Sequence, residues 1–228
     1  MAVDYSIEQT QIDAYLLEEG HVNVTEVHTY KFDDEFNGMT RTLIPKEKTE
    51  IGDFEAKENG STLEVEQEDD LYRIYRNGED ETVTIELTYT VYNAVLVYED
   101  IADFYYPFFD NRNESDYEQL DVYVHPPAES DAEEAIAYGE DEAEGTASVL
   151  EGGVVHFEMG KVNSGKNGNI RVAYDPSLFS VDHRNEGKMR NEIVAEMAAL
   201  EKAENAMKIG SNSLTKPPYL SLVPMVCT

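Results

Sequence analysis

Residues 82–92 read Thr82-Val83-Thr84-Ile85-Glu86-Leu87-Thr88-Tyr89-Thr90-Val91-Tyr92. Val83, Ile85, Leu87, Tyr89 and Val91 share one parity, and Thr82, Thr84, Glu86, Thr88 and Thr90 the other. A strand sends successive side chains to opposite faces, so this period of two marks a half-buried strand of an antiparallel sheet. The alternation recurs on both sides of this segment. Val22, Val24, Tyr30 and Phe32 are in phase, as are Leu120, Val122 and Val124. Val155, Phe157 and Met159 form another run, and Ile170, Val172 and Tyr174 a last one. Tyr5 and Ile7 are out of phase with Ile12, Ala14 and Leu16, which requires a bulge or two separate strands.

Turn residues punctuate these runs at Glu19-Gly20, Asn59-Gly60, Asn77-Gly78, Gly152-Gly153 and Asn167-Gly168. Asn59-Gly60 and Asn77-Gly78 have the residues of tight hairpin turns. Many strands with closely spaced turns predict an all-β protein, a β-sandwich of immunoglobulin-like or related type rather than βαβ units. No repeat of fixed period is visible. The polar run 110–116 reads as a boundary between two β lobes, 3–110 and 117–181. Between Glu129 and Glu144 lie eight acids and no base, which predicts a solvated loop or an edge strand. One helix is expected over 188–208, where Met189, Ile193, Met197, Leu200 and Met207 recur at helical spacing before Gly210.

The 228 residues suffice for a sizeable core, and a hydrophobic content of 41% with 15 Tyr and 8 Phe argues for a folded chain. The net charge is −31. Nucleic acid is therefore excluded as a partner, because phosphate binding needs Lys and Arg to displace counterions. The charge also opposes docking of the folded body on an anionic membrane surface. Cys227 is the one cysteine, so an intrachain disulfide is ruled out. Met1-Ala2-Val3-Asp4-Tyr5 has neither a basic nor an apolar leader segment, the look of a chain whose leader has been cut away. The run 210–228 differs in composition from all that precedes it and reads as a flexible tail, vector-derived or natural.

Few motifs carry chemistry. With 48 carboxylates in the chain, pairs of acids occur everywhere and their spacing says little. His21, His28, His125, His156 and His183 form no close metal-ligand pattern, and each is expected to be structural or exposed. Asp110, Asn111, Asn113 and Asp116 make a weak oxygen-rich loop, but Arg112 occupies the place of a calcium ligand, so a plain loop is expected. Neither a nucleophile elbow nor a nucleotide-binding glycine motif is present, and no cofactor is expected. Asn23, Asn59 and Asn113 are glycosylation sequons, relevant only in a glycosylating host.

Glu26 is the physical anomaly. It is in phase with Val22, Val24, Tyr30 and Phe32, on the face that should be buried. A buried carboxylate needs a charged or hydrogen-bonding partner. Arg41, alternating with Met39 and Leu43, is the nearest candidate, and pairing of the two strands would let them meet across the sheet. A structural ion pair is expected rather than a catalytic acid.

The run from Glu19 to Glu26, followed by Tyr30-Lys31-Phe32 and then Gly38-Met39-Thr40-Arg41-Thr42-Leu43-Ile44-Pro45, resembles the N-terminal region of a family of predicted bacterial membrane proteins, domain of unknown function 2207. Thr88 to Val95 before Asp100, then Val122-Tyr123-Val124-His125-Pro126, and finally Phe157 to Phe179 extend the likeness over residues 3–181. Where a Tyr-Trp pair would follow the family pattern, this chain has Tyr106-Pro107-Phe108-Phe109. The resemblance implies an exported, β-rich ectodomain on the extracellular face of the bacterial membrane, anchored in the full-length protein, with the helix leading toward the bilayer. It implies no catalytic residues.

The leading expectation is thus a non-catalytic extracellular module that binds, senses or scaffolds a partner at the cell envelope. One alternative is a polysaccharide-binding or adhesive domain using Phe104, Tyr105, Tyr106, Phe108 and Phe109 as ligand-facing aromatics, although core packing suits that run better. Another is a carboxylate-dependent hydrolase of cell-wall glycan. The acids are spread along the chain, so their charge reads as an adaptation to export or to a salty or alkaline exterior, without a metal site. Screening acts over about 8–10 Å near physiological ionic strength. The melting temperature should therefore rise with NaCl, and calorimetric titration with calcium should give weak, unsaturable heats. A tight stoichiometric calcium isotherm would refute this diffuse-charge account.

Overall fold

The computed structural model describes residues 4–109, 115–131, 134–140 and 145–210. It is 59% strand and 10% helical, all-β with one helix near the C-terminus. In chain order the strands are β1 (Tyr5–Leu16), β2 (Val22–Phe32), β3 (Glu35–Thr42), β4 (Glu50–Glu58) and β5 (Ser61–Thr62). Next come β6 (Glu64–Glu68), β7 (Leu71–Glu79), β8 (Thr82–Tyr92), β9 (Val95–Val97) and β10 (Ala102–Phe109). The last are β11 (Tyr117–His125), β12 (Ile136–Glu140), β13 (Thr146–Val149), β14 (Val155–Val162) and β15 (Gly168–Tyr174), followed by the helix α1 (Arg190–Gly210).

The strands form three sheets. The largest has eight strands in the order β13-β14-β11-β1-β2-β8-β4-β5. A four-stranded sheet, β12-β15-β10-β9, and a three-stranded sheet, β3-β7-β6, share one apolar core with it. The residues that alternate in β8, from Val83 to Val91, are all buried. On β2 the buried face holds Val22, Val24, Tyr30 and Phe32, with Glu26 and His28 between them.

Several sequence expectations find their physical form here. β1 is a single strand whose register against β2 shifts between Ile7 and Gln9. The extra residue moves the buried set from Ile7 to Thr10, Ile12, Ala14 and Leu16. Asn59 and Gly60 both adopt positive φ and join β4 to β5 as a two-residue hairpin. Asn77-Gly78, by contrast, lies inside β7, with Gly78 opposite Phe36. Any Cβ on Gly78 would lie 2.6 Å from the Phe36 ring. The glycine therefore answers a packing demand, and Asp80, at φ 47°, takes the turn.

The expected division at 110–116 has no counterpart in the sheets. β1 pairs in parallel with β11, Ile12 opposite Val122 and Ala14 opposite Val124. The eight-stranded sheet thus draws strands from both sides of that segment, of which 110–114 lie outside the described residues. It is also a mixed sheet, where alternation alone predicted an antiparallel one. Within the acidic stretch, Ala135, Ile136, Ala137 and Tyr138 are buried. The last three begin β12, an edge strand whose apolar content lets it pack despite its flanks, while residues 132–133 and 141–144 lie outside the described set.

Helix α1 begins two residues later than the sequence suggests. Its first turn is capped from a distance, as the backbone N–H groups of Met189 and Arg190 donate to Asp100 Oδ1 at 2.9 and 3.3 Å. A carboxylate there satisfies orphan donors and favours the positive end of the helix dipole. Ile193 is fully buried against Ile101, Ile136, Tyr138 and Ala173, so the helix packs on the outer side of the four-stranded sheet. The tail beyond 210, with Cys227, lies outside the described residues.

A register irregularity in β3 between Phe36 and Gly38 generates one stability prediction. Gly38 has φ 155°, and a Cβ there would meet the Ile74 carbonyl oxygen at 2.3 Å. Gly38→Ala should destabilise the protein by about 1–3 kcal/mol or more through strain and overpacking. Thermal unfolding checks it, and a melting temperature equal to that of the parent protein would show that β3 is placed otherwise.

Candidate functional site

Glu26 sits midway along β2 with its side chain fully buried. Arg41 reaches it from β3, which belongs to another sheet. The two strands do not pair, so the contact crosses the interior between facing sheets rather than running between neighbouring strands. The contact is bidentate, with Arg41 Nε donating to Glu26 Oε2 and Nη2 to Oε1, each at 2.8 Å. Both planar groups match in such a fork, which makes it the strongest arrangement of this kind.

Further donors complete the cluster. Tyr89 from β8 donates its hydroxyl to Glu26 Oε1 at 2.7 Å. His28 Nε2 lies 2.8 Å from Glu26 Oε2, and its Nδ1 lies 3.0 Å from Thr10 Oγ1. A carboxylate accepts only, so Nε2 carries the proton toward Glu26. The Thr10 hydroxyl, which can donate or accept, completes the bonding of the imidazole at Nδ1. Arg41 uses its remaining donors on the carbonyls of Phe108 and Thr42, both at 3.2 Å. Five strands from three sheets thus converge on this cluster.

The electrostatics follow from this closure. Burial pushes the Glu26 carboxyl up, but the Arg41 charge and the hydrogen bonds from His28 and Arg41 outweigh it and hold the group well below the ordinary carboxyl range. Arg41 is held above its ordinary value, because Glu26 outweighs the burial that would lower it. Burial likewise raises the surrounding phenols, Tyr117 to about 12. An ionised, fully bonded carboxylate in the core neither gives nor takes a proton near neutral pH. This arrangement suits a structural centre.

The aromatic run falls inside. Phe104, Tyr106, Phe108 and Phe109 are buried in the core, and only Tyr105 is partly exposed, between the cations of Lys46 and Arg171. Core packing accounts for Phe104, Tyr106, Phe108 and Phe109, which are enclosed rather than ligand-facing. Of the weak metal loop, Asp110, Asn111 and Asn113 lie outside the described residues. Asp116 accepts a hydrogen bond from the Ser164 backbone at 2.7 Å. Among the described residues, no group of three or more His, Cys, Asp or Glu is placed to hold a metal ion.

A second buried centre escaped sequence reasoning. Arg171 on β15 forks onto Asp103 of β10, at 2.9 and 2.8 Å. Its Nη1 also donates to the Tyr138 hydroxyl and to Glu196 of α1. The clamp ties the helix to the four-stranded sheet. Its signal was faint, because Asp103 and Arg171 occur in strands whose two faces are both covered, one by core and one by α1. His28 was more accessible to reasoning, since it shares the buried parity of Glu26.

A mixed-sheet sandwich closed by two buried charge forks, with one peripheral helix, defines a structural class of domain. Within it, the family described as the N-terminal domain of a predicted membrane protein (DUF2207) matches residues 6–174, and the chain belongs to that family. No curated protein matches the chain at a significant level. Among solved structures, an M1 zinc metallopeptidase from Deinococcus radiodurans is similar at 13% identity and TM-score 0.46, covering 73% of this chain and 42% of its own. Native leukotriene A4 hydrolase from Saccharomyces cerevisiae is similar at 9% identity and TM-score 0.47, covering 75% of this chain and 29% of its own. The chain thus spans less than half the length of either protein.

The centre makes a quantitative prediction. Removing one partner of a buried pair costs about 3–5 kcal/mol, whereas an exposed pair is worth roughly 0–1. Glu26→Gln should cost the larger amount in denaturant unfolding. Since the native carboxyl value is depressed, its contribution is complete above the ordinary value of 4.5 and is lost as pH falls from there toward the native value. The variant should lack that part of the acid slope, and an unchanged midpoint and slope would disprove the coupling.

Proposed function

We propose that this domain is a non-catalytic module exposed on the extracellular face of the bacterial membrane, where it binds or senses a partner at the cell envelope. Membership of a family of predicted membrane-protein N-terminal domains carries this reading. Among the described residues no helix is long and apolar enough to cross a membrane, so the anchor would be supplied by chain outside them. Helix α1 would lead toward that anchor, and its clamp to Arg171 and Tyr138 would fix the orientation of the sandwich relative to it.

The sealed state of Glu26 supports a non-catalytic role, because the most perturbed carboxylate is spent on the core rather than held in a cleft. The negative surface supports a partner that is not a nucleic acid or an anionic lipid.

The test uses the full-length membrane protein in its own host. In a Cys227→Ser background, Ser61, exposed in the β5 hairpin, is changed to Cys, and intact cells are treated with a membrane-impermeant maleimide. Labelling before lysis is expected, and labelling only after lysis would overturn the extracellular assignment. The purified domain should release no new reducing ends from cell-wall glycan, and sustained release would overturn the non-catalytic one.

A further inference from the structure

The outward face of the eight-stranded sheet carries a duplicated unit. β1 contains Gln11-Ile12-Asp13-Ala14-Tyr15, and β11 contains Gln119-Leu120-Asp121-Val122-Tyr123, both of the form Gln-x-Asp-x-Tyr. Ile12, Ala14, Leu120 and Val122 point into the core and are fully buried. The three polar residues of each unit point the other way, where the core imposes nothing on them.

Both units make the same contacts. Gln11 Nε2 donates to Asp13 Oδ2 at 2.7 Å, and His125 Nε2 lies 2.8 Å from Asp13 Oδ1. The Tyr15 and His125 rings stack with centroids 4.3 Å apart. In the second unit, Gln119 Nε2 donates to Asp121 Oδ2 at 3.2 Å, and His156 Nε2 lies 2.7 Å from Asp121 Oδ1. There the Tyr123 and His156 rings stack at 4.3 Å, within 3° of parallel. Each time the imidazole comes from the next strand.

The parallel register explains the layout. Gln11 stands opposite Asp121, Asp13 opposite Tyr123 and Tyr15 opposite His125. The second unit is thus displaced by one strand and two residues. One strand spacing and two residue rises place equivalent groups about 8 Å apart. Ordinary cross-strand pairing would account for a single ring stack, but not for a Gln-Asp-His-Tyr set built twice in the same geometry.

We propose that this face of β1, β11 and β14 is a binding site for a neutral, hydroxyl-rich glycan chain. Each ring has one face held against an imidazole, Tyr15 is 44% exposed and Tyr123 partly exposed. Aromatic faces of this kind pack against the C–H faces of a pyranose, and amphipathic rings offer contact area with little loss of freedom. Each Asp is oriented by a His and a Gln donor, with lone pairs left to accept from sugar hydroxyls. Such fixed acceptors favour binding because they are ordered beforehand. The offset of about 8 Å lets both units lie under one oligosaccharide chain.

Charge narrows the ligand class. Lys161 is the one Lys or Arg in these three strands, and it is paired with Glu118 at 2.7 Å. Phosphate- or carboxylate-bearing polymers are therefore disfavoured. Both oxygens of Asp13 and of Asp121 already accept a hydrogen bond, so neither offers a bare charge to a cation.

This inference deepens the envelope-binding reading above and rests on it for its biological setting, but its test is independent of cell topology. The chain has no Trp, so tyrosine fluorescence follows binding, and the ring substitutions below tell which of the 15 tyrosines respond. Chitohexaose, cellohexaose and maltohexaose are titrated into the whole purified chain, with hexalysine and heparin as charged controls. A saturable change with at least one neutral hexasaccharide is expected. Tyr15→Ala and Tyr123→Ala should each weaken it tenfold or more while retaining the parent melting temperature. Tyr5→Ala, an exposed tyrosine at the far end of β1, should leave it unaltered. Absence of saturation with all three glycans overturns the proposal, as does saturable binding of hexalysine or heparin alone. Glycan binding that survives both ring substitutions also overturns it, because the site would lie elsewhere. If the Ser61→Cys protein is labelled only after lysis while glycan binding persists, the envelope reading fails and the site stands.

Discussion

The carboxylate of Glu26 lies where water does not reach, and the fold is arranged so that this charge is fully answered. A buried ion without partners would cost several kcal/mol, enough to remove much of a domain's stability. Arg41 must therefore arrive in one orientation, with Tyr89 and His28 beside it. Since Arg41 belongs to the three-stranded sheet and also bonds the Phe108 carbonyl of the four-stranded one, the requirement fixes how all three sheets face each other. Apolar side chains alone would tolerate several relative placements of the sheets, whereas a bidentate fork admits very few.

The Asp103–Arg171 fork repeats the device at the other layer. It lies between the four-stranded sheet and α1, and Glu196 and Tyr138 extend it to the helix. Otherwise the helix is held by the Asp100 cap at its first turn and by an apolar stripe centred on Ile193. The polar clamp supplies the orientation that so narrow a stripe leaves loose. Together the two forks order the molecule as a series of layers, from the open face of the large sheet to the helix.

Charge is used differently inside and outside. The interior pairs each acid with a cation in fixed geometry, while the surface carries the excess behind the net −31. Such an excess keeps a domain soluble and repels anionic partners without specifying any one ligand. Against that background the Gln-Asp-His-Tyr units stand apart, since each acid accepts from a Gln and contacts a His and is flanked by stacked rings.

Period-two alternation made the strands of this chain legible, because a residue's parity decides its face whatever the partner strand. The same parity exposed Glu26 as a buried acid, and the phase change from Ile7 to Ile12 revealed the bulge in β1. The Asn59-Gly60 turn was legible for a local reason, since positive φ at two successive positions restricts the residue types. Which strands are neighbours was not legible. Pairing of β1 with β11 joins segments more than a hundred residues apart, and alternation is identical in parallel and antiparallel neighbours. Without that pairing, 110–116 looked like a boundary, Gly78 looked like a turn, and Arg41 was expected to meet Glu26 along a sheet rather than across the core. The Asp103–Arg171 clamp and the staggered rings of the outer face likewise exist only once distant strands are brought together. Sequence determined the inward parity of the alternating strands; tertiary structure alone decided which of those residues meet and that β12 and the Asp103–Arg171 pair are covered, because contact across sheets depends on the order of strands and not on their composition.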